Sequence, residues 1–173
     1  MNSLQIKAIN KEALADLIRL SRQTFSEAFA AVNEDRHMTA YMDEAYSAKK
    51  LGEELENPDS RFFFVCDGGE PLAYLKLNFN QAQSDIRDPE SMEIERIYVL
   101  QAHLGKGIGK IMMNEALAVA KKSGVRYVWL GVWEHNERAL AFYKKHGFEL
   151  FGDHVFWLGE DRQIDLLMRK FLD

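Results

Sequence analysis

The stretch Met92 to Lys122, MEIERIYVLQAHLGKGIGKIMMNEALAVAKK, limits what this chain can fold into more than any other. Its first part places apolar residues at even positions, Met92 and Ile94, then at odd ones, Ile97 and Val99, with Glu93, Glu95 and Arg96 around the switch. A regular strand sends alternate residues to opposite faces, so keeping one apolar face needs an extra residue, and the spacing predicts a β-bulge near Glu95 or Arg96. The second part, Leu104 to Lys110, puts glycines in front of an amphipathic helix. The unpaired N–H groups and dipole of such a helix start favour an anion such as a pyrophosphate, and glycines let it approach the backbone.

The rest of the chain frames that unit. Leu4, Ile6, Ala8 and Ile9 predict an edge strand. Glu12 to Ala30 carries Leu14, Leu17, Ile18, Phe25, Ala28 and Phe29 on one helical face, and Asp35 to Tyr46 repeats the pattern. Ser47 is placed to cap a short helix reaching Glu56. Arg61 to Asp67 and Pro71 to Asn80 read as a hairpin around Gly68, Gly69 and Glu70, and the polar run Gln81 to Ser91 as a flexible loop. Beyond Lys122, Gly124 stops the helix that starts near Ile108, whose inward face is Ile108, Ile111, Met112, Ala116, Val119 and Ala120. Arg126 to Trp133 reads as a strand buried on both sides and Asn136 to His146 as a short helix closed by Gly147. Phe148 to Leu158 and Ile164 to Phe171 are the last strands, joined by the turn Gly159 to Arg162. This order predicts one α+β domain over residues 1–173 with a mixed sheet, not a doubly wound fold.

Composition narrows the function classes. With 173 residues and 47% hydrophobic content the chain can build a sizeable core unaided. Its formal charge of −5 argues against a nucleic-acid partner, and the short basic pairs Lys121–Lys122 and Lys144–Lys145 do not reverse that. The single Cys66 excludes an internal disulfide and reads as a buried thiol in FFFVC. No run of about 18 apolar residues and no signal-peptide pattern occurs, so a cytosolic protein without a membrane partner is expected. His37, His103, His135, His146 and His154 lack metal-ligand spacing, and no metal is expected.

Gly105, Gly107 and Gly109 alone specify only a phosphate cradle. The dinucleotide fingerprint lacks its third glycine and distal acid, and a Walker loop lacks the Ser or Thr after Lys110. A second element, WLGVWEHNERALAFYKKHGF over Trp129 to Phe148, adds the pattern Asn-x-x-Ala-x-x-Phe-Tyr-x-x-x-Gly-Phe through Asn136, Ala139, Phe142, Tyr143, Gly147 and Phe148. Together the two resemble the GNAT superfamily of acyl-CoA N-acyltransferases. In that family the loop reads (Gln/Arg)-x-x-Gly-x-(Gly/Ala), met here by Gly107 and Gly109, while Leu104 departs from the first position.

The resemblance implies a mixed six- or seven-stranded sheet with four to five helices, acetyl-CoA as cosubstrate, and direct transfer to an amine. It implies that backbone groups of Ile97, Tyr98 and Val99 pair with the pantetheine arm. The pyrophosphate would lie on the loop formed by Leu104, Gly105, Lys106, Gly107, Ile108, Gly109 and Lys110, and Asn136, Ala139 and Lys145 would add cofactor contacts. Tyr143 would sit beside the sulfur and protonate the departing thiolate. A primary amine with a pKa near ~10.4 costs roughly 4–5 kcal/mol to present uncharged at neutral pH, so a base is required. Glu93, fourteen residues before Gly107, is the first candidate and Glu95 the second. The oxyanion formed on attack needs a donor, expected from a backbone N–H of the bulged strand.

Within the superfamily, EIERIYV, GKGIGK, the aromatic N-terminal helix with TFSEAF, and a late IDLLM are similar to PaiA-type spermidine/spermine N-acetyltransferases. That implies a polyamine, an extended polycation that calls for carboxylates along a groove. Candidates are Glu27, Glu34, Asp35, Asp43, Glu44, Glu93, Glu95 and Glu134. A protein N-terminus or lysine is the other acceptor class, and a non-catalytic acyl-CoA sensor the alternative outside enzymes. Phe151, Phe156 and Trp157 on the last hairpin offer either a homodimer contact or packing against the main helices.

Overall fold

The computed structural model describes residues 3–173. Seven strands form one sheet: β1 (Leu4–Ile9), β2 (Ser60–Asp67), β3 (Glu70–Phe79), β4 (Ser91–Val99), β5 (Tyr127–Trp133), β6 (Glu149–Leu158) and β7 (Asp161–Phe171). Their order is β1-β2-β3-β4-β5-β7-β6, and every neighbouring pair is antiparallel except β4 with β5. Five α-helices accompany them: α1 (Leu14–Phe29), α2 (Asp35–Ala45), α3 (Ala48–Glu56), α4 (Ile108–Ser123) and α5 (Glu137–Lys145). The mixed sheet is of the α+β kind expected. No helix among the described residues is long and apolar enough to cross a membrane.

The sheet is buried on both faces because its central strands are apolar at successive positions. In β2, Phe62, Phe64 and Cys66 join Leu17, Leu20, Phe25 and Leu51 of α1 and α3, while Phe63 and Val65 join the opposite cluster with Met112, Met113 and Ala116 of α4. The α1 face is turned from its predicted stripe: Leu20, Ser21 and Thr24 are buried with Leu17 and Phe25. Thr24 tolerates this because its hydroxyl donates to the Leu20 carbonyl at 2.8 Å, satisfying itself inside the helix. On α4, Met113 takes the buried place expected of Ile111, which is only half-buried.

The bulge falls at Glu95. Lys76 of β3 faces Arg96 and Leu77 faces Ile94, so Glu95 has no partner across the ladder. Met92, Ile94, Ile97 and Val99 all pack in the α4-side cluster, the single face that the extra residue was required to restore. On the other face the bulge presents charge to the interior. Arg96 makes a two-point ion pair with Glu54 of α3 at 2.8 and 3.2 Å, and Lys76 bonds Glu95 and lies 3.3 Å from Glu54. Lys76 and Arg96 are only 3% and 7% exposed, so this four-charge group is neutral where an unpaired charge would be prohibitive.

Two local readings are revised. β7 begins at Asp161, so the last turn is only Gly159 and Glu160, because the ladder with β6 continues to Leu158–Asp161. The segment from Asn80 to Glu90 is a tethered loop, as the site shows below. Of the last-hairpin aromatics, Phe156 packs 5.4 Å from the Tyr41 ring of α2, whereas Trp157 is 57% exposed.

Removing one member of a buried ion group leaves the others unpaired, a loss of about 3–5 kcal/mol. Arg96→Met should therefore destabilise the fold by about that amount in urea denaturation, and a change below about 1 kcal/mol would show that the group does not tie α3 to the sheet.

Candidate active site

β4 pairs with β3 along its length, but with β5 only over Ser91–Glu93. Past Glu93 the two parallel strands part, leaving the backbone from Ile94 to Val99 with no strand partner on the β5 side. A bulge adds local twist, which turns the end of β4 away from its neighbour. The gap opens into a cavity of about 1180 Å³, walled by the ends of β4 and β5, the Leu104–Lys110 loop, α5, α1 and the second half of β6.

The two ends of this cavity differ in charge, and two histidines report it. Near α4 and α5 lie Lys110, Arg138 and Lys145. There His146 is held below its ordinary pKa by burial and by Lys145, Lys110 and Lys170. On the β6 side His154 lies with Nδ1 3.0 Å from Asp85 and Nε2 3.6 Å from Asp165. The Asp165 and Asp85 carboxylates overcome burial there and raise its pKa to about 9. The cationic end also carries the helix start. Gly107, at φ 81°, caps α4 in a left-handed conformation open to few residues but glycine, leaving the first N–H groups of the helix without a side-chain cap. Gly109 touches the α5 residue Phe142: a Cβ there would lie 3.4 Å from the ring, so its absence lets the loop and α5 close up.

Glu93 sits where β4 and β5 separate, 2% exposed. Its carboxylate accepts from Asn78 Nδ2 at 2.9 Å, from the Ser84 backbone N–H at 2.8 Å, and from the Ser84 hydroxyl. Burial, then the charge of Glu95, raise its pKa from its ordinary value despite those bonds. Glu95 goes the other way. Burial opposes its ionisation, but Arg96, Lys76 and their hydrogen bonds dominate and hold it at about 2. The two neighbouring carboxyls are thus shifted in opposite directions.

Tyr143 on α5 lines the cavity, 8% exposed, and burial holds its phenol well above 10, so it is protonated at neutral pH. Asn136 caps α5, its Oδ1 accepting from the Ala139 N–H at 3.2 Å. That bond orients α5 and occupies the oxygen, leaving Nδ2 as the group Asn136 can offer a ligand. Ile97, Tyr98, Val99, Leu104, Gly105, Ile108, Ala139 and Lys145 also line the cavity, and Lys106 does not.

Of the acceptor carboxylates, Glu27, Glu93 and Glu95 line the cavity. Glu27 is committed to the Gln101 N–H at 2.7 Å and to Gln23. Glu134 is exposed beside His135 and does not line it, because the chain has left the end of β5 and turned outward before α5 begins. Glu34 pairs with Arg36 and Asp43 with Arg22, and neither they nor Asp35 and Glu44 line the cavity. Sequence reasoning overlooked Ser84, Asp85, His154 and Asp165. They come from a loop and two strands distant in sequence, and only the alternation of His154, Phe156 and Leu158 on β6 hinted at an inward face.

Residues 15–148 match the family model described as the acetyltransferase (GNAT) family. The chain belongs to the GNAT family. Among relatives, an uncharacterized N-acetyltransferase in the pepI 3′ region of Lactobacillus delbrueckii subsp. lactis is 38% identical over 99% of each chain. The spermidine N(1)-acetyltransferase of Thermoplasma acidophilum is 25% identical over 86% of this chain and 89% of its own. The solved structure of the PaiA N-acetyltransferase from Thermoplasma acidophilum in complex with coenzyme A superposes with a TM-score of 0.82, at 24% identity over 98% of this chain and 99% of that one. The fold is therefore that of the GNAT acyltransferases.

The Asp85–His154–Asp165 clamp predicts a pH signature. His154 rises from 6.5 to about 9, so its stabilising contribution is whole below about pH 6.5 and lost as pH rises through 9. Asp85 is shifted down from 3.8, so its share is lost only as pH falls below the usual carboxylate range. The Tm difference between wild type and His154→Gln should be largest near pH 6 and fade by about pH 10. A difference that does not vary with pH would contradict the clamp.

Proposed function

We propose that the protein is an acetyl-CoA-dependent N-acetyltransferase that moves the acetyl group directly onto a primary amine of a polyamine such as spermidine or spermine. The observation that carries this reading is the parted pair β4 and β5, with Glu93 at the vertex and Tyr143 on the facing helix. Acetyl-CoA supplies the activated acetyl thioester. The chain's own residues fit it: a strand edge with unpaired backbone groups for an extended amide-bearing arm, uncapped helix N–H groups for a pyrophosphate, and Lys110, Arg138 and Lys145 for further phosphate charge.

In this reading the carboxylate of Glu93 takes the proton that the amine must lose. Its raised pKa brings it nearer the working pH, where a general base is most effective, whereas Glu95 at about 2 is too weak. Tyr143 donates to the sulfur as the C–S bond breaks. The burial that holds its proton makes an unprotonated thiolate equally costly there, so the proton passes to sulfur.

The acceptor end supports a polycation. Asp85 and Asp165, which outnumber the one imidazolium of His154 between them, line it with Phe29, Tyr41 and Trp133, a net negative charge with aromatic faces suited to ammonium groups on a flexible chain. The relationship to a spermidine N(1)-acetyltransferase points the same way.

Incubation with acetyl-CoA and, separately, spermidine, spermine, putrescine, lysine and peptides should release free CoA fastest with the polyamines. Release with peptides and none with polyamines would replace the acceptor. Tyr143→Phe should lower kcat roughly 100-fold with CoA affinity unchanged, as loss of a general acid does. Unaltered kcat would assign the proton to another group.

A further inference from the structure

Glu93 lines the cavity but has little surface open to it. It is 2% exposed, and its two oxygens accept three hydrogen bonds, from Asn78 and from the main chain and side chain of Ser84. An amine in the cavity would meet Ser84 first, since Ser84 is exposed, lines the cavity and covers Oε1 of Glu93. A serine hydroxyl has one proton and two lone pairs. Because its proton is given to Glu93, what Ser84 presents to the cavity is a pair of acceptor sites.

The loop around Ser84 is held with more precision than a surface connection needs. On one side Gln83 is buried, its Nε2 donating to the carbonyls of Asn80 and Asp88 at 3.3 and 3.0 Å, and its Oε1 accepting from Ser91 and from the Trp129 indole at 2.8 and 2.6 Å. On the other side Asp85 is tied to His154 of β6 at 3.0 Å. Ile86 and Arg87 then turn through φ of 57° and 54°, a left-handed conformation that non-glycine residues keep only where surroundings impose it. Two independent anchors thus flank a residue that both hydrogen-bonds Glu93 and lines the cavity.

We infer that Ser84 is a catalytic residue of the transfer, relaying the proton of the acceptor amine to Glu93. The inference rests on the reading of Glu93 as base given above. The amine reacts in its neutral form, its ammonium proton having gone to solvent. As the nitrogen lone pair forms the N–C bond, one N–H proton passes to Ser84 Oγ while the Ser84 proton passes to Glu93 Oε1. The hydroxyl is regenerated, and Glu93 is left neutral. The C–S bond breaks with its electron pair going to sulfur, which takes the Tyr143 proton. Transfer from Glu93 to the phenolate through solvent then restores both groups, so the sum is amine plus thioester giving amide plus thiol. Two protons move together in the step at nitrogen.

The relay is tested with Ser84→Ala, Ser84→Thr and Glu93→Gln, using acetyl-CoA with spermidine or whichever amine wild type acetylates. Single-turnover rates are followed in mixtures of light and heavy water. Ser84→Ala keeps the backbone N–H on Glu93, so its Tm and KM for acetyl-CoA should stay near wild type while the rate falls roughly 10- to 100-fold. Ser84→Thr should recover most of the rate. The plot of rate against deuterium fraction should be curved for wild type and Ser84→Thr, and straight for Ser84→Ala. A wild-type rate in Ser84→Ala with Glu93→Gln inactive would overturn the relay and leave Glu93 as base. Wild-type rates in both would overturn the base as well. A slowed Ser84→Ala with a straight plot in wild type would make Ser84 a positioning residue and overturn the relay. If Ser84→Ala unfolds, the Ser84→Thr plot decides by the same criterion.

Discussion

The unpaired Glu95 in β4 is the constraint on which the rest of the structure depends. One additional residue restores an apolar face of Met92, Ile94, Ile97 and Val99 against α4, and it accompanies the point where β4 and β5 separate. The same insertion drives two charged side chains, Glu95 and Arg96, toward the opposite layer. They are accommodated only because β3 supplies Lys76 and α3 supplies Glu54. An opening in the sheet and a buried ion group that ties a helix over it are therefore one structural event. Its energetic cost is contained by complete pairing, since a partly paired group of this kind would unfold the region sooner than open it.

That event also separates the roles of two carboxylates only two positions apart. Asn78, itself buried, donates through Nδ2 to Glu93 at 2.9 Å and to Glu95 at 3.1 Å, and Ser60 fixes its orientation by donating to its Oδ1. Yet the cations lie on the Glu95 side alone. Proximity to Lys76 and Arg96 holds Glu95 ionised, while Glu93 feels burial and the neighbouring negative charge. The division of the cavity into a cationic end by α5 and an anionic end by β6 repeats the arrangement on a larger scale. It matches a ligand pair of opposite charge better than any single ligand.

Much of this was legible in the sequence because it follows from local rules. The parity switch located the bulge, the glycines located the start of α4, and Ser47 and Asn136 were read at helix starts where both now cap. The GNAT fold followed from the Asn136 to Phe148 pattern together with the loop. What was not legible depends on long-range placement. The polar run Gln81 to Ser91 has no periodicity, and nothing in it announces that Gln83 is buried against Trp129 or that Ser84 covers Glu93. Asp85, His154 and Asp165 are ordinary polar residues until three separate segments meet. Glu134 was misplaced for the converse reason: nearness to Trp133 in sequence says nothing about which way the chain turns after a strand.

The central claim is that the parted edge of β4 receives the cosubstrate. Hydrogen exchange of the backbone amides, measured with and without a saturating concentration of CoA, tests it most directly. Amides within Glu95 to Val99 and at the start of α4 should become strongly protected, while those of the β6–β7 turn should not change. Protection confined to other parts of the molecule, with Glu95 to Val99 exchanging as before, would contradict the account.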